Sequence, residues 1–525
     1  MERSGCVGGV RRVRTRVFGM SQTDSTPSSS QSASAAGEAN GAATQRHLDR
    51  SLAKGVAWMG MVRWVTQLLT WASTLIVVRL LSPADYGLVG LATMYLGVVT
   101  MLSEFGIGTT IVAMRGLTAS DHAQINSLSV MFGAFSFLVS CAVAPLLAWF
   151  FHAPELTTVV IAMSTIFLIT AVRVVPQALL QRDMRFRDLA LNDGLQAAAL
   201  AAGAVLFAYL GFRYWTLVLS ALLGALLSTI GVLRLVRVPF HRPQWRVLQP
   251  AVTFSRQTIQ GRLAWYVYQN SDFFVAGKVF GKDLLGVYRV AWDLTSTPLE
   301  KITSLVSRVT PSILSAAQHD SAALRRYVLR VTEALALATF PATIGMGLVA
   351  GDLVDITLGA KWAGMVIPLQ LLSLAAAIRS VTPILPQVLT VIGENRRAMR
   401  VNVFGAIVMP LAFWIGTRWG TTGVAAMWLV VYPVALVVPM VMTVCTQLRM
   451  SATEYLSAFS APVTGVVIMA LAVWGARAAL PADLPRSIHL AAEILAGGIA
   501  YGLALMTLHR DRMRALVAGV RAARA

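Results

Sequence analysis

Charged and amide side chains recur inside one long apolar stretch of this sequence. Arg262, Gln269 and Asp272 are spaced seven and three residues apart, which places them near one face of a helix. Tyr266 and Asn270 follow Arg262 in steps of four and extend that face. A guanidinium matches phosphate through paired hydrogen bonds, whereas hydroxyl and amide groups bind sugar or water. The pattern therefore predicts a buried site for an anion.

The next apolar stretch carries a second polar face. Arg289, Asp293 and Glu300 recur at steps of four and seven residues. Because a charge at the bilayer centre costs at least about 2.5–3.5 kcal/mol, each face must point to a water-filled cavity or to a partner helix. The alternative to a cavity is a structural ion-pair network, for instance between Asp272 and Arg289.

Composition assigns the chain to the membrane proteins. Hydrophobic residues make up 56% and charged residues 13% of its 525 residues, and the mean hydropathy is +0.66. A soluble chain of this length could not bury so much apolar surface. The three cysteines lack metal-ligand spacing, and the loops carry no nucleotide-binding or paired-histidine motif. We therefore expect a protein that is not an enzyme and that holds no cofactor and no metal.

Apolar runs of about 20 residues, each long enough to span a bilayer, recur along the chain. We predict fourteen spans, near 56–80, 87–114, 128–151, 157–180, 189–212, 214–236, 259–280, 289–316, 331–358, 365–392, 401–417, 421–446, 459–480 and 488–508. Alternating loops place most basic residues on one side and leave few on the other, namely Arg213, Lys278, Lys282, Lys361, Arg418, Arg477 and Arg486. This asymmetry predicts cytoplasmic termini. It also explains the net charge of +20 through topology and membrane lipids rather than nucleic acid.

The chain contains an internal repeat. Residues 79–92 align with 278–291, so that Gly87 corresponds to Gly286 at an offset of 199 residues. Repeats of this kind are typical of two-lobed transporters that rock around a central site. With an even number of helices in each repeat, the two lobes are expected to be parallel rather than inverted.

Two further pairs of positions extend the repeat. Pro176-Gln177 aligns with Pro386-Gln387 at an offset of 210, so eleven residues are inserted in the second copy. In the first register Arg63 falls on Arg262. Two facing arginines repel each other, and an anion bound between them would stabilise the arrangement.

These features predict an all-α polytopic membrane protein with two pseudo-symmetric six-helix lobes and two further C-terminal helices. The predicted segments are a disordered cytoplasmic N-terminal segment (1–45), the N-lobe (46–237), a basic cytoplasmic linker (238–258), the C-lobe (259–448), the last two helices (449–508) and a basic cytoplasmic tail (509–525).

Two segments carry a family resemblance. One reads Leu80-Leu-Ser-Pro-Ala-Asp-Tyr-Gly-Leu and is followed by Glu104-Phe-Gly-Ile-Gly, and the other runs from Asn270 to Ala291. Both resemble bacterial O-antigen and exopolysaccharide (Wzx-like) flippases of the multidrug/oligosaccharidyl-lipid/polysaccharide exporter superfamily. The resemblance implies a V-shaped, MATE-like fold that moves undecaprenyl-diphosphate-linked oligosaccharides across the bacterial inner membrane, for polysaccharide or lipopolysaccharide biosynthesis. It also implies the polysaccharide polymerase and chain-length machinery as partners.

The resemblance gives the predicted cavity an occupant, the diphosphate. On this hypothesis Arg63 and Arg262 clamp the phosphates, while sugar or water is contacted by Tyr266, Gln269 and Asn270. Asp272 and Arg289 are further cavity residues, and protonation of Asp272 or Asp293 would reset the cycle. The cavity is also expected to contain the amide of Gln67 and flanking aromatic side chains, namely Trp58, Trp64, Trp265 and Tyr268.

Two alternative functions remain open. A drug or cation antiporter of the same superfamily would share the fold, but its cavity should be acidic, whereas the cavity predicted here is basic. A membrane glycan ligase or polymerase would need a large external loop, and the external loops of this sequence are short.

Overall fold

The described part of the chain is helical. The computed structural model describes residues 66–103, 111, 117–242, 245–316, 320–481, 483–510 and 512–514, and these ranges contain no strand. The first eight helices are α1 Thr66–Leu80, α2 Pro83–Ser103, α3 Ala119–Phe151, α4 Glu155–Ala171, α5 Val174–Arg182, α6 Phe186–Tyr209, α7 Trp215–Leu235 and α8 Trp245–Ala316. They are followed by α9 Ser321–Leu348, α10 Ala350–Thr357, α11 Val366–Val381, α12 Ile384–Val391, α13 Asn395–Gly416, α14 Gly420–Tyr432, α15 Val438–Gln447, α16 Ala452–Ser457, α17 Ser460–Ala479 and α18 Arg486–Leu508.

The all-α membrane fold is confirmed, but the number of spans is not. Within the described ranges, nine helices are long and apolar enough to cross a bilayer, or ten if the bent pair α4–α5 is one span. The predicted spans 259–280 and 289–316 both lie in α8, which is interrupted only at Gly281 (φ 72°, ψ −171°). The second span therefore begins directly after this glycine rather than at residue 289. We call the two parts α8a (245–280) and α8b (282–316).

The broken helices follow the internal repeat. α4 and α5 meet at a bend of 45°, and α11 and α12 are separated by the corresponding two-residue break, 210 residues later. Pro176 and Pro386 are each the third residue of the second helix. A proline is tolerated there because the first turn of a helix has no internal partner for its N–H.

The lobes approach each other closely at Gly87 in α2 and Gly286 in α8b, which correspond in the repeat. A Cβ on Gly87 would collide with the carbonyl oxygen of Lys282, and a Cβ on Gly286 would collide with that of Pro83. These two clashes are exchanged by the repeat, since Pro83 corresponds to Lys282. The contact therefore lies on a pseudo-two-fold axis, and the largest buried apolar cluster combines residues of both lobes around it.

The start of α2 shows why the sequence motif at 82–87 has this form. The Asp85 carboxylate accepts hydrogen bonds from the Ser82 N–H (3.0 Å) and hydroxyl (2.6 Å). Its other oxygen accepts one from the Tyr214 N–H (3.1 Å), which ties the α6–α7 loop to α2. Tyr86 packs edge-to-face on Trp362 of the C-lobe (5.8 Å between ring centroids). The motif thus starts α2 and fixes the α6–α7 loop to it. It also places Gly87 at the pseudo-two-fold axis.

The eleven inserted residues belong to the segment between α9 and α11, which contains α10 and the 3-10 turn Ala360–Met365. This segment reaches the end of α1 in the N-lobe. Arg79 Nη2 donates a hydrogen bond to the Ile356 carbonyl (2.9 Å). Lys361 Nζ donates to the carbonyls of Arg79 (2.6 Å) and Leu81 (2.7 Å). Trp362 Nε1 donates to the carbonyl of Val78 (3.2 Å).

The equivalent helix end in the C-lobe makes a similar set of contacts. Lys278, which corresponds to Arg79, donates to the Phe150 carbonyl (2.6 Å), and Lys282 pairs with Glu155 (2.7 Å). We call the five donors of the two sets the cross-lobe clasp; they are Arg79, Lys278, Lys282, Lys361 and Trp362.

The C-terminal helices α17 and α18 attach to the same segment. Arg477 binds the fully buried Glu493 through two hydrogen bonds of 2.8 Å and lies 3.8 Å from Asp352 of α10. Arg486 pairs with Asp355 of the same helix. The segment therefore contacts both the N-lobe and the C-terminal pair.

Candidate substrate site between the lobes

A pocket of about 150 Å³ lies between α1 of the N-lobe and α8b of the C-lobe. Its walls combine aliphatic side chains with one indole ring, hydroxyls, an amide and a carboxylate. The residues that carry the polar and aromatic groups are Gln67, Thr70, Trp71, Thr74, Tyr86, Asp293 and Thr297. Such a wall, mostly apolar with a few directed polar groups, is typical of small-molecule sites.

Asp293 is paired with Arg289, one helical turn before it. The Arg289 Nε–H donates to the Asp293 carboxylate at 2.9 Å, and the two side chains are 26% and 44% exposed. The guanidinium also lies over the ring of Phe273, at 5.0 Å from its centroid. The pocket thus has a carboxylate in its wall and a cation beside it. The polar face predicted for this helix is present, but its pair is Arg289–Asp293 and not Asp272–Arg289.

Tyr266 crosses from α8a to the N-lobe. Its hydroxyl donates to the Met94 carbonyl (2.8 Å), and its ring end fills the space over Gly97. Asn270 is half-buried and donates to the Tyr266 carbonyl at 3.0 Å, and Gln269 is also half-buried. Tyr266 therefore lies at the lobe interface, and none of the three residues is among those that line the pocket.

Asp272 lies in a different environment, inside the C-lobe. Its carboxylate is fully buried and accepts hydrogen bonds from the Tyr288 hydroxyl (2.8 Å), the Trp428 indole N–H (3.0 Å) and the Phe273 N–H (2.8 Å). The side chains predicted to share one helix face over 262–272 therefore point to two different environments, the lobe interface for Tyr266 and the interior of the C-lobe for Asp272. Six residues at 100° each turn Asp272 about 120° away from Tyr266 around the helix axis.

Arg379 completes this buried group. Its guanidinium lies over the rings of Trp292 (3.9 Å) and Trp428 (5.1 Å), the same indole that donates to Asp272. Stacking on aromatic faces stabilises a cation that has left water. The geometry of this polar-aromatic cluster favours a structural role for Asp272 and Arg379.

Two predicted cavity residues fall outside the description. Arg63 lies outside the described residues, and for Arg262 the structure describes the backbone, within α8a, but not the side chain. The phosphate clamp formed by these two arginines stays a prediction.

Sequence reasoning missed most of the α1 side of the pocket. Thr70, Trp71 and Thr74 follow Gln67 by three, four and seven residues, the spacing of one helix face. The signal was present, but uncharged side chains do not stand out in an apolar run as arginine and aspartate do.

Residues 76–367 match the family profile described as "Polysaccharide biosynthesis protein". The chain belongs to this family. Among curated members of similar sequence is the "Lipopolysaccharide biosynthesis protein WzxC" of Escherichia coli (strain K12), 22% identical over 72% of this chain and 77% of that protein. Another is the "Succinoglycan biosynthesis transport protein ExoT" of Rhizobium meliloti (strain 1021), 23% identical over 90% of this chain and 96% of that protein.

Two solved structures show the same fold at low sequence identity. The lipid II flippase MurJ in an inward closed conformation superposes with a TM-score of 0.71 at 11% identity, over 87% of this chain and 99% of that one. An inward-facing MATE multidrug transporter gives 0.62 at 17% identity, over 74% and 96%. This family member is thus a multi-pass membrane protein with the fold of these transporters.

Proposed function

We propose that this protein is a flippase that moves undecaprenyl-diphosphate-linked oligosaccharides from the cytoplasmic to the periplasmic leaflet of the bacterial inner membrane. The observation that carries the proposal is the pocket between the lobes of a polysaccharide-biosynthesis family member. Its indole, hydroxyl, amide and carboxylate groups suit a sugar, and the adjacent Arg289 suits a phosphate. The polymerase and chain-length machinery that would receive the glycan are proposed partners.

The transport cycle follows from the two lobes. The isoprenoid chain stays in the bilayer, the diphosphate binds Arg63 and Arg262 with Arg289 nearby, and rocking of the lobes exposes the headgroup on the other side. We assign the cross-lobe clasp to the periplasmic side and both termini to the cytoplasm, because the distribution of basic residues between the loops favours this orientation. The membrane potential favours outward movement of an anion by about 2.3 kcal/mol per charge per 100 mV.

A drug or cation antiporter fits this pocket less well. Asp293 is its carboxylate, and Arg289 at 2.9 Å already neutralises that charge. A cation would have to displace the guanidinium, whereas a neutral sugar can accept and donate hydrogen bonds beside the intact pair.

The proposal is tested by loss and restoration of export in the source bacterium. Deletion of the gene should abolish surface polysaccharide and cause lipid-linked oligosaccharide to accumulate in the membrane. Arg63→Ala and Arg262→Ala should each fail to restore export at normal membrane abundance. Lysine at either position should restore export only in part, because a point charge cannot form the two-pronged contact with phosphate.

Arg326→Ala, which removes an exposed arginine of α9, is the matched control and should restore export fully. If the deletion strain does not accumulate a lipid-linked intermediate, the flippase function is contradicted. Full export by both alanine variants would contradict only the phosphate clamp.

A further inference from the structure

The interface between the lobes departs from its own two-fold symmetry where two pairs of repeat-related positions carry different residues. At the repeat offset of 199 residues, Gln67 corresponds to Tyr266 and Met94 corresponds to Asp293. On one side of the axis, Tyr266 reaches Met94 and fills the gap between the helices. On the other side, Gln67 and Asp293 line the pocket of about 150 Å³. The pocket thus exists where the repeat replaces a tyrosine by a smaller side chain.

We propose that this pocket is a subsite for one sugar ring of the lipid-linked glycan, and that Gln67, which is smaller than the tyrosine at its repeat position, leaves the space for that ring. The inference rests on the proposed function and adds the location of sugar recognition. A volume of about 150 Å³ is below the roughly 300–1,000 Å³ of sites that enclose a whole ligand, so it fits one ring rather than a chain.

The pocket wall distinguishes a sugar from the isoprenoid chain of the same substrate. The Trp71 ring offers a flat apolar face, while hydroxyl groups of a sugar can pair with Gln67, Thr70 and Asp293. A hydrocarbon chain in the same place would cover the Asp293 carboxylate and the Gln67 amide without giving either a hydrogen-bond partner, which is costly. The polar groups therefore favour the glycan.

The experiment fills the pocket with a side chain. Gln67→Tyr restores the residue of the repeat partner and should reduce polysaccharide export at least ten-fold at normal membrane abundance, because the phenol takes the place of the ring. Gln67→Ala leaves the space open and should reduce export by less than three-fold. Leu68→Tyr introduces the same ring one residue away, at a position that is 65% exposed, and should export normally.

A second filling from the opposite wall makes the test independent of α1. Thr297→Leu should reduce export in the same way as Gln67→Tyr. If both variants reach the membrane and export at the parental level, the subsite is overturned, while the proposed function stands as long as the deletion strain still requires the parental protein.

If neither variant reaches the membrane, the variant Thr74→Cys tests the subsite instead. A methanethiosulfonate reagent forms a mixed disulfide with this cysteine and fills the pocket after the protein has assembled. Export should stop on treatment and resume when a reductant cleaves the disulfide. Export that continues in the labelled protein would overturn the subsite, and the parental chain, treated equally, controls for its own cysteines.

Discussion

At the scale of single residues, the buried carboxylate of Asp272 separates structure from transport. It is enclosed by donors alone, the Tyr288 hydroxyl, the Trp428 indole and a backbone N–H. A carboxylate with these partners is satisfied within the C-lobe and does not need a substrate. The arrangement predicts that Asp272 matters for folding of the lobe.

Replacement of Asp272 should therefore reduce stability before it reduces transport. Asp272→Ala leaves the Tyr288 hydroxyl and the Trp428 N–H buried and unpaired, at about 1–3 kcal/mol each, and should lower the melting temperature of the purified protein and its membrane abundance. Asp272→Asn keeps an acceptor and should be milder, with export in proportion to abundance. Asp283→Ala, which removes an exposed carboxylate of α8b, is the control. Normal abundance of Asp272→Asn without export would instead support the coupling role predicted from the sequence.

What the sequence could predict at this scale was spacing within one helix. Arg289 and Asp293 lie four residues apart and form a pair, as their common face indicated. The partner of Asp272 could not be predicted, because Trp428 is 156 residues away and its N–H reaches the carboxylate only in the packed lobe.

At the scale of helices, the crossing of α2 and α8b depends on the absence of two side chains. A methyl group on Gly87 or Gly286 would overlap a backbone carbonyl of the other helix. Backbone cannot give way as a flexible side chain can, so the helices would have to separate. The close crossing therefore requires glycine at both positions.

Gly87→Ala and Gly286→Ala should each hold the periplasmic side open. We expect a several-fold faster reaction of a cysteine placed at Val78, which is 2% exposed, with an impermeant maleimide added from outside. Gly475→Ala is the matched control, because a Cβ there meets no atom within 4 Å. If the labelling rate is unchanged in both variants at normal abundance, the crossing does not help to keep the periplasmic side closed.

The repeat itself was readable from the sequence, including the equivalence of Gly87 and Gly286 and the eleven-residue insertion. The contacts of the insertion were not. Its donors bind backbone carbonyls at the end of α1, and a carbonyl acceptor has no residue type by which a sequence could reveal it.

At the scale of the whole molecule, the inserted segment links parts that lie far apart in the chain. It binds the end of α1 through Lys361 and Trp362 and binds the C-terminal pair through Asp352 and Asp355. Movement of the N-lobe away from this segment must break the first set of contacts and can leave the second intact. The C-terminal pair is thus expected to move with the C-lobe.

Lys361→Met should weaken the closed arrangement without disturbing either lobe. It removes the donor to two carbonyls at the end of α1, a loss of about 1 kcal/mol for an exposed group, and should raise the labelling rate of the cysteine at Val78 by about five-fold. Arg486→Ala breaks an exposed pair within the C-terminal half and should leave that rate unchanged. Equal labelling rates in Lys361→Met and the parental protein would show that the clasp does not help to keep the periplasmic side closed.

The clasp also has a consequence for the protein at rest. If Arg79, Lys361 and Trp362 of the clasp each contribute about 0.5–1.5 kcal/mol, these three contacts alone disfavour the outward-open state of the empty protein by roughly ten-fold or more. Only a ligand that binds this state more tightly than the closed one, by a comparable free energy, can make it the major population. A weakened clasp would let the empty protein open to the periplasm without cargo, so that opening would no longer depend on the substrate.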